Sequence, residues 1–204
     1  MSADFSQIEF RVAAALADEP TMKANIRAGI DLHDVTAGRL FGDDFTDAQR
    51  GVAKGAGFGR LYGVGAATVA ANTGVDLADA QGALSAFDTE YPGIARFADR
   101  VGRQREIVTP LGRRLPLDHD RSYIGINYYI QSAARDVFVQ ALFRLAAAGF
   151  MDHLWLPVHD EIIVSVPEQD TQQVARVMEA VMASEFMGVP ITATATILGE
   201  CWHK

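Results

Sequence analysis

Apolar residues recur at helical spacing through most of the first 150 positions. This periodicity predicts helices over residues 6–16, 20–28, 33–41, 47–62, 77–90, 94–106 and 123–148. Two of the predicted starts carry capping-box spacing, Ser6-x-x-Glu9 and Thr46-x-x-Gln49. A short hairpin is expected over residues 107–117, with its turn at Pro110-Leu111-Gly112.

The pattern changes in the last third of the chain. Apolar runs at 154–158 and 162–166 flank the charged tripeptide His159-Asp160-Glu161, which is typical of a tight hairpin. A helix over 169–186 and a strand over 191–197 follow. Together these elements predict the α+β class, with a small antiparallel sheet and a mostly helical remainder.

Composition excludes several classes of protein. The 204 residues are 49% hydrophobic and 22% charged with a net charge of −8, which excludes a disordered tail, a histone-like basic protein and a collagen. Residues 95–121 nevertheless carry seven Arg against four acids, a local excess of three positive charges. A solvated helix face or a phosphate-binding patch both fit that excess.

Targeting signals and disulfides are not expected. The single cysteine, Cys201, allows no internal disulfide, and the first residues lack the basic start and apolar run of a signal peptide. No stretch has the 18 or more uncharged apolar residues of a membrane helix. We therefore expect a soluble protein of a reducing compartment, without a membrane partner.

The hairpin tip at Asp160 and Glu161 is the first candidate for chemistry. Two carboxylates between apolar strands are unusual for a turn, where Asn-Gly or Asp-Gly is favoured. Hard divalent cations prefer such oxygen ligands. On this hairpin alone an ordinary charged turn remains open.

A second candidate is a stripe of four residues on the helix predicted over 47–62. Arg50, Lys54, Phe58 and Tyr62 recur every four residues and span about 18 Å, with the cations toward the helix N-terminus. A nucleoside triphosphate has the matching polarity, phosphates at one end and a flat base at the other. The alternative is a surface helix whose apolar stripe is flanked by basic residues. The four glycines of this helix each cost about 1 kcal/mol relative to Ala, which favours a close approach of its backbone to another group.

Three segments in order resemble motifs A, B and C of the family A DNA polymerases. They are Asp4-Phe5-Ser6-Gln7-Ile8-Glu9-Phe10-Arg11, the stripe from Arg50 to Tyr62, and Val158-His159-Asp160-Glu161. Shorter matches lie between them: Asp31-Leu32-His33, Tyr91-Pro92-Gly93, the segment 109–114 and Asn127-x-x-x-Gln131. The first segment taken alone fits an ordinary helix start.

The resemblance implies a metal-dependent nucleotidyl transfer. Asp4, Asp160 and the main-chain carbonyl of Phe5 would hold two Mg²⁺ ions, and Glu161 would assist. Lys54 would bind the phosphates and protonate the departing pyrophosphate. Asp4, Asp160, Glu161 and Lys54 are thus the implied catalytic residues.

Further residues are implied to bind the dNTP and the DNA. For the dNTP they are Gln7 near the nascent pair, Glu9 excluding the ribose 2′-hydroxyl, His33 and Arg50 on phosphates, Phe58 by the sugar and base, and Tyr62 near the templating base. For the DNA they are Asn127 and Gln131 in the minor groove, His159 at the primer end, and Arg113 and Arg114. A phenylalanine at position 58 implies discrimination against dideoxynucleotides.

The sequence also departs from the family pattern. Tyr123 stands where the family usually has an arginine, and Gly55 and Gly57 are expected to soften their helix. Pro157 predicts an edge strand, because proline cannot donate to the ladder. The apolar strand leading into motif A is expected to be missing, which would leave an exposed sheet edge that invites another chain.

The resemblance thus predicts the palm and fingers portion of a DNA-directed DNA polymerase, with thumb and exonuclease domains absent. Such a portion would be the C-terminal piece of a split or truncated enzyme. Residues 1–18 would be the motif A part of the palm, 19–120 helical fingers, and 121–204 the rest of the palm. Its partners would be primer-template DNA, dNTPs and a second polypeptide that supplies the thumb and N-terminal palm, in the cytoplasm of a bacterium or phage-infected host. A non-catalytic DNA- or dNTP-binding remnant and a structural subunit are the alternatives.

Overall fold

A computed structural model describes residues 1–118 and 123–198. The helices are α1 (Ile8–Ala17), α2 (Pro20–Arg27), α3 (Leu32–Phe41), α4 (Asp47–Tyr62), α5 (Ala66–Thr73), α6 (Leu77–Glu90), α7 (Pro92–Gly102), α8 (Gly125–Leu145) and α9 (Thr171–Met182). The strands are β1 (Ser2–Phe5), β2 (Glu106–Val108), β3 (Arg114–Pro116), β4 (Leu154–Val158), β5 (Glu161–Val164), β6 (Ser184–Phe186), β7 (Val189–Ile191) and β8 (Ala193–Thr196). These elements confirm the predicted α+β class.

Contacts divide the chain into two units. The first contains Met1–Glu9 and Ala134–Lys204, and the second contains Phe10–Ala133. The lobe boundaries expected from the sequence, at 18/19 and 120/121, stay a prediction, and the second of them lies outside the described residues, as does Cys201. In the described ranges, no helix combines the length and the apolar character needed to cross a membrane.

The first unit is built on a four-stranded antiparallel sheet. Its order is β4-β5-β1-β8, so β1 lies between two partners. Helix α9 packs against β8 and β1, and β6 pairs with β7 in a separate hairpin. Strand β4 is an edge strand of this sheet, which confirms the prediction made from Pro157.

The expectation of a missing motif A strand is wrong. Residues Ser2–Phe5 themselves form β1, with Ala3 and Phe5 buried. Strand β1 is hydrogen-bonded to β5 on one side and to β8 on the other. The sheet edge beside the motif C hairpin, which the sequence predicted to be exposed, is therefore covered by β1. The prediction failed because it required a long apolar run, whereas four residues paired on both sides suffice for a central strand.

The second unit is mostly helical and packs around α4. The helices α3, α5 and α6 all contact α4. Its apolar cluster contains Val52, Ala56, Val69, Ala80, Ala83 and Leu84. The small β2–β3 hairpin confirms the turn predicted over residues 107–117.

Several helix boundaries agree with the sequence and others do not. The Thr46–Gln49 capping box is present, and α6 begins and ends as predicted. The box expected at Ser6 is wrong, because Gln7, which would be the first helical residue, has a φ of 51° and the helix begins at Ile8. Helix α5 was not predicted, since its short, alanine-rich sequence carries little periodicity.

Two predicted helices end earlier than expected. Helix α7 ends at Gly102 and α9 at Met182, so residues 184–186 form β6 instead of a last helical turn. Helix α8 ends at Leu145 and passes into a π-helical turn, in which Gly149 has a φ of 90°. That turn lies where the sequence predicted the helix to stop.

The glycines of α4 differ in what surrounds them. A Cβ on Gly57 would lie 3.0 Å from the Phe10 ring and 3.3 Å from Phe87, and one on Gly59 would lie 2.7 Å from Val69. A Cβ on Gly51 would meet nothing within 4 Å. Close packing against neighbouring side chains therefore explains Gly57 and Gly59, and the helix is continuous across them.

We expect opposite effects on stability from alanine at two of these positions. Gly57→Ala should lower the free energy of unfolding by about 1–3 kcal/mol, because the added methyl group overpacks the Phe10 and Phe87 contact. Gly51→Ala should raise it by up to about 1 kcal/mol, because alanine loses less backbone entropy and meets open space. Urea unfolding of the two variants measures both; equal shifts in the same direction would contradict this account.

Candidate functional site

In the first unit, strand pairing brings the motif A and motif C carboxylates to neighbouring strands. Asp4 on β1 lies opposite Glu161 on β5. The amide of Phe5 donates a hydrogen bond of 3.1 Å to the carbonyl of Asp160. The backbone alone therefore fixes Asp4, Asp160 and Glu161 at one end of the β1–β5 pair.

The tight turn between β4 and β5 determines how Asp160 is presented. His159 has a φ of 53°, a left-handed conformation that is uncommon outside glycine, and Asp160 follows it in the turn. Asp160 is half-buried, whereas Glu161 is only 6% exposed. One carboxylate thus faces partial solvent at the tip while its neighbour lies in the sheet.

The donor set predicted for metal ions fits hard cations. It contains the carboxylates of Asp4 and Asp160 and the main-chain carbonyl of Phe5, all oxygen ligands, and the Oδ1 atom of Asp4 is buried. Across residues 1–118 and 123–198, no group of three or more His, Cys, Asp or Glu side chains is arranged to hold a metal ion. The predicted set has two carboxylates, so its third donor comes from the backbone.

Gln7 and Glu9 also belong to the first unit. Gln7 connects β1 to α1 and has the left-handed conformation noted above, while Glu9 lies in the first turn of α1. Both side chains are half-buried.

In the second unit, the aromatic end of the α4 stripe belongs to a ring cluster. The Phe58 ring lies 4.9 Å from Phe10 in edge-to-face geometry and 5.6 Å from Tyr62. The His33 ring meets Phe10 edge-on at 4.8 Å. These contacts orient the Phe58 ring between Phe10 and Tyr62 in the edge-on and tilted geometries that aromatic pairs prefer.

The cationic end of the stripe is paired with carboxylates. The Nη2 atom of Arg50 donates to Oδ2 of Asp31 at 2.7 Å, and its Nε donates to Oδ1 of Asp34 at 2.5 Å. Lys54, one turn further along, is exposed. The sequence reasoning missed Asp34, whose only signal was its position three residues after Asp31 at the start of a helix.

Asp31 has a structural task besides its ion pair. Its Oδ1 accepts hydrogen bonds from the amides of His33 and Asp34, at 2.7 and 3.2 Å, which caps α3. Burial raises the pKa of Asp31, but the two amide hydrogen bonds and the charge of Arg50 outweigh burial and hold this pKa below its usual value.

His33 is buried, with 5% of its surface exposed, and sits beside the ring cluster. Burial lowers the pKa of His33 to about 4, against a smaller opposing effect from Asp31. The ring is therefore neutral at pH 7, and any contact with a phosphate would be a hydrogen bond from a neutral imidazole.

The residues predicted to contact DNA lie in both units. In the second unit they lie on α8 and in the β2–β3 hairpin, and in the first unit they lie in the turn between β4 and β5. Asn127 and Gln131 are one turn apart on α8. Arg114 on β3 forms an ion pair with Glu106 on β2, and Arg113 beside it is exposed. His159 is the exposed turn residue of the first unit.

Tyr123, which replaces the usual family arginine, borders a cavity of about 610 Å³ in the second unit. Its side chain is 61% exposed. Arg60, paired with Asp88 at 2.8 Å, and Arg103 line the same cavity. Sequence reasoning did not identify this cavity, because its lining comes from separate helices.

Comparison with known proteins leads to the same family that the three sequence motifs resemble. The sequence model of DNA polymerase family A matches residues 1–204. The chain is 42% identical to a DNA polymerase of Mycobacterium phage D29, over 98% of this chain and 34% of that protein. It is 32% identical to DNA polymerase I of Chloroflexus aurantiacus, over 100% of this chain and 24% of that protein.

A solved structure is similar over nearly the whole chain. It is the POL domain of Pol1 from M. smegmatis in complex with DNA primer-template and dNTP, with a TM-score of 0.80 and 25% identity over 95% of this chain and 38% of that one. The chain spans about a third of the length of the phage relative.

The buried His33 predicts a specific dependence of stability on pH. Since its pKa is about 4 in the folded state and 6.5 as the ordinary value, the unfolded chain takes up the proton first as the pH falls. The stabilisation is complete above pH 6.5 and is lost between pH 6.5 and about 4, by up to about 3 kcal/mol.

Urea unfolding at several pH values tests this prediction. His33→Gln should lose about 3 kcal/mol less than the parent chain between pH 6.5 and 4. His153→Gln, at a more exposed position, serves as the control and should keep the parent's dependence. If the free energy of unfolding falls equally with pH in His33→Gln and in the parent, burial of the neutral His33 ring does not cause the loss of stability between pH 6.5 and 4.

Proposed function

Because this chain belongs to DNA polymerase family A, we propose that it carries out template-directed DNA polymerisation. The reaction is nucleotidyl transfer from a dNTP to a primer 3′-hydroxyl, with primer-template DNA as the partner and two Mg²⁺ ions as cofactors. The observation that carries this proposal is the β1–β5 pairing, which sets Asp4 beside Asp160 and Glu161 through the Phe5–Asp160 hydrogen bond.

In this proposal the first unit supplies the metal ligands. Asp4, Asp160 and the Phe5 carbonyl hold the ions, and Glu161 supports the site from its buried position on β5. Bound Mg²⁺ lowers the pKa of the primer hydroxyl and neutralises charge on the triphosphate. Gln7 and Glu9 shape the space beside the nascent pair and the sugar, and His159 steadies the primer end.

The second unit supplies the nucleotide-binding side chains. Arg50 and Lys54 bind the triphosphate near the N-terminal half of α4, and Lys54 donates a proton to the departing pyrophosphate. Phe58 and Tyr62 lie against the sugar and bases, oriented by the ring cluster. Neutral His33 donates a hydrogen bond to a phosphate, while Asn127, Gln131, Arg113 and Arg114 contact DNA.

The proposal includes a second polypeptide that supplies a thumb and the N-terminal part of the palm. The relatives are longer proteins, and the chain spans about a third of the phage enzyme's length. Because the relatives are phage and bacterial proteins, the proposed place of action is the cytoplasm of a bacterium or phage-infected host.

Loss of one proposed metal ligand should abolish activity. In a primer-extension assay with labelled primer-template, Mg²⁺ and dNTPs, Asp160→Asn should extend at least about a thousandfold more slowly, since a metal ligand contributes several kcal/mol of charge stabilisation. Asp152→Asn removes the same charge from an exposed position of the first unit and should retain activity.

Two results would contradict this proposal. Equal extension by Asp160→Asn and the parent would show that the carboxylate is not a ligand. A folded chain that binds dNTP and primer-template but never extends, even when the missing segments of a relative are added as a second polypeptide, would indicate a binding remnant instead.

The side chain at position 58 should control discrimination against dideoxynucleotides. A tyrosine hydroxyl there can replace the interaction lost with the 3′-hydroxyl, and one hydrogen bond of roughly 1.4 kcal/mol corresponds to about tenfold. Phe58→Tyr should therefore raise the ratio of ddNTP to dNTP incorporation by about tenfold. Phe45→Tyr adds the same hydroxyl between α3 and α4 and should leave this ratio unchanged; an unchanged ratio in Phe58→Tyr would remove Phe58 from the sugar site.

A further inference from the structure

The guanidinium group of Arg50 is held between α3 and α4 by two carboxylates. Asp31 accepts from Nη2 at 2.7 Å and Asp34 accepts from Nε at 2.5 Å. The Nε and Nη2 donors form one edge of the guanidinium, and a different carboxylate takes each of them. A phosphate that binds this edge with a bidentate geometry must displace at least one of the two carboxylates.

The two aspartates differ in how firmly they are fixed. Asp31 uses its other oxygen to cap α3 through the amides of His33 and Asp34. The Asp34 side chain is 46% exposed and lies in the first turn of α3, and the cap uses its backbone amide but not its carboxylate. Asp34 can therefore leave Arg50 without uncapping the helix, whereas Asp31 cannot move without weakening its start.

The local charges at this end of the stripe cancel. Arg50 and Lys54 contribute two positive charges, and Asp31 and Asp34 contribute two negative ones. A triphosphate that approaches Arg50 meets the Asp34 carboxylate as a rival for the Nε donor. The Asp34–Arg50 pair is itself weak, because partly exposed ion pairs contribute little.

We propose that Asp34 is a positioning residue that competes with the triphosphate for Arg50. In the nucleotide-free protein it holds the Arg50 side chain in one orientation, and binding exchanges the Asp34 carboxylate for a phosphate while Asp31 keeps its contact. Asp34 thereby lowers the affinity for the nucleotide and leaves the chemical step unchanged. This inference rests on the proposed function, in which Arg50 binds the triphosphate.

Binding and kinetics of Asp34→Asn test the proposal. Binding of dNTP and of inorganic tripolyphosphate, each with Mg²⁺, is measured by calorimetry on the chain without DNA, and KM and kcat by primer extension. Asp34→Asn should bind both probes about two- to fivefold more tightly and lower KM for dNTP by the same factor, with kcat unchanged. Asp79→Asn, an exposed aspartate of α6, removes the same charge and should leave binding unchanged.

A double-mutant cycle separates competition for Arg50 from direct repulsion of phosphate. If Asp34 acts through Arg50, adding Asp34→Asn to Arg50→Gln should not tighten tripolyphosphate binding further. If the same gain persists in the Arg50→Gln background, Asp34 repels the phosphates directly and the proposal is wrong. Unchanged or weaker binding by Asp34→Asn alone also overturns it, as does a parent chain that binds neither probe.

Failure of this inference is distinguishable from failure of the polymerase proposal. If the parent binds dNTP and tripolyphosphate but never extends a primer, the catalytic proposal fails and the binding comparison still decides the role of Asp34. If the parent extends a primer while Asp34→Asn leaves both KM and binding unchanged, the polymerase proposal stands and the role assigned to Asp34 does not.

Discussion

The double pairing of β1 is the constraint on which the first unit depends. This four-residue strand is hydrogen-bonded to β5 on one side and β8 on the other. The Met1 nitrogen donates to the Val164 carbonyl at 3.1 Å, and the Val164 amide donates back to the Met1 carbonyl at 2.9 Å. Since register in a sheet has a period of two, a slip of one residue would turn Asp4 to the opposite face and separate it from the Glu161 side chain on β5. The apolar neighbours Ala3 and Phe5 oppose such a slip because both are buried.

Elements with local signals were predictable from the sequence, and elements defined by distant partners were not. The capping box of α4, the bounds of α6 and the β4–β5 hairpin follow from residues close together in the chain. Strand β1 has no such signal, because its stability comes from partners about 160 and 190 residues away. The β6–β7 hairpin is an exception, because its partners are at most seven residues apart and yet the helix predicted over 169–186 includes β6. The candidate site divides in the same way. Spacing and resemblance identify its residue types, whereas the Asp34–Arg50 pair forms only when α3 packs on α4 and cannot be predicted from spacing.

Several proposed nucleotide-binding residues also hold the second unit together. Phe58 packs edge-on against Phe10, and His33 packs against the same ring from another direction. Gly57 allows that ring to approach the α4 backbone. The close approach of the α4 backbone that its glycines indicated is therefore, at Gly57, an approach to a packed side chain. Phe58 is half-buried and packs on Phe10, which belongs to the core. In the proposed function, a ring oriented in this way before binding loses little entropy when a flat base stacks on it.

The cationic end of the stripe follows a different physical rule. An arginine in an acidic protein pairs with nearby carboxylates, and two carboxylates lie within hydrogen-bond distance of Arg50. Such pairing keeps a long side chain ordered, but each pair must be weak enough to give way to a ligand. Partial exposure provides that weakness, because solvent screens the Asp34 contact, while the capping role of Asp31 keeps the other contact in place. The difference between one anchored and one exchangeable carboxylate would then allow Arg50 to be ordered before the nucleotide arrives and still available to it.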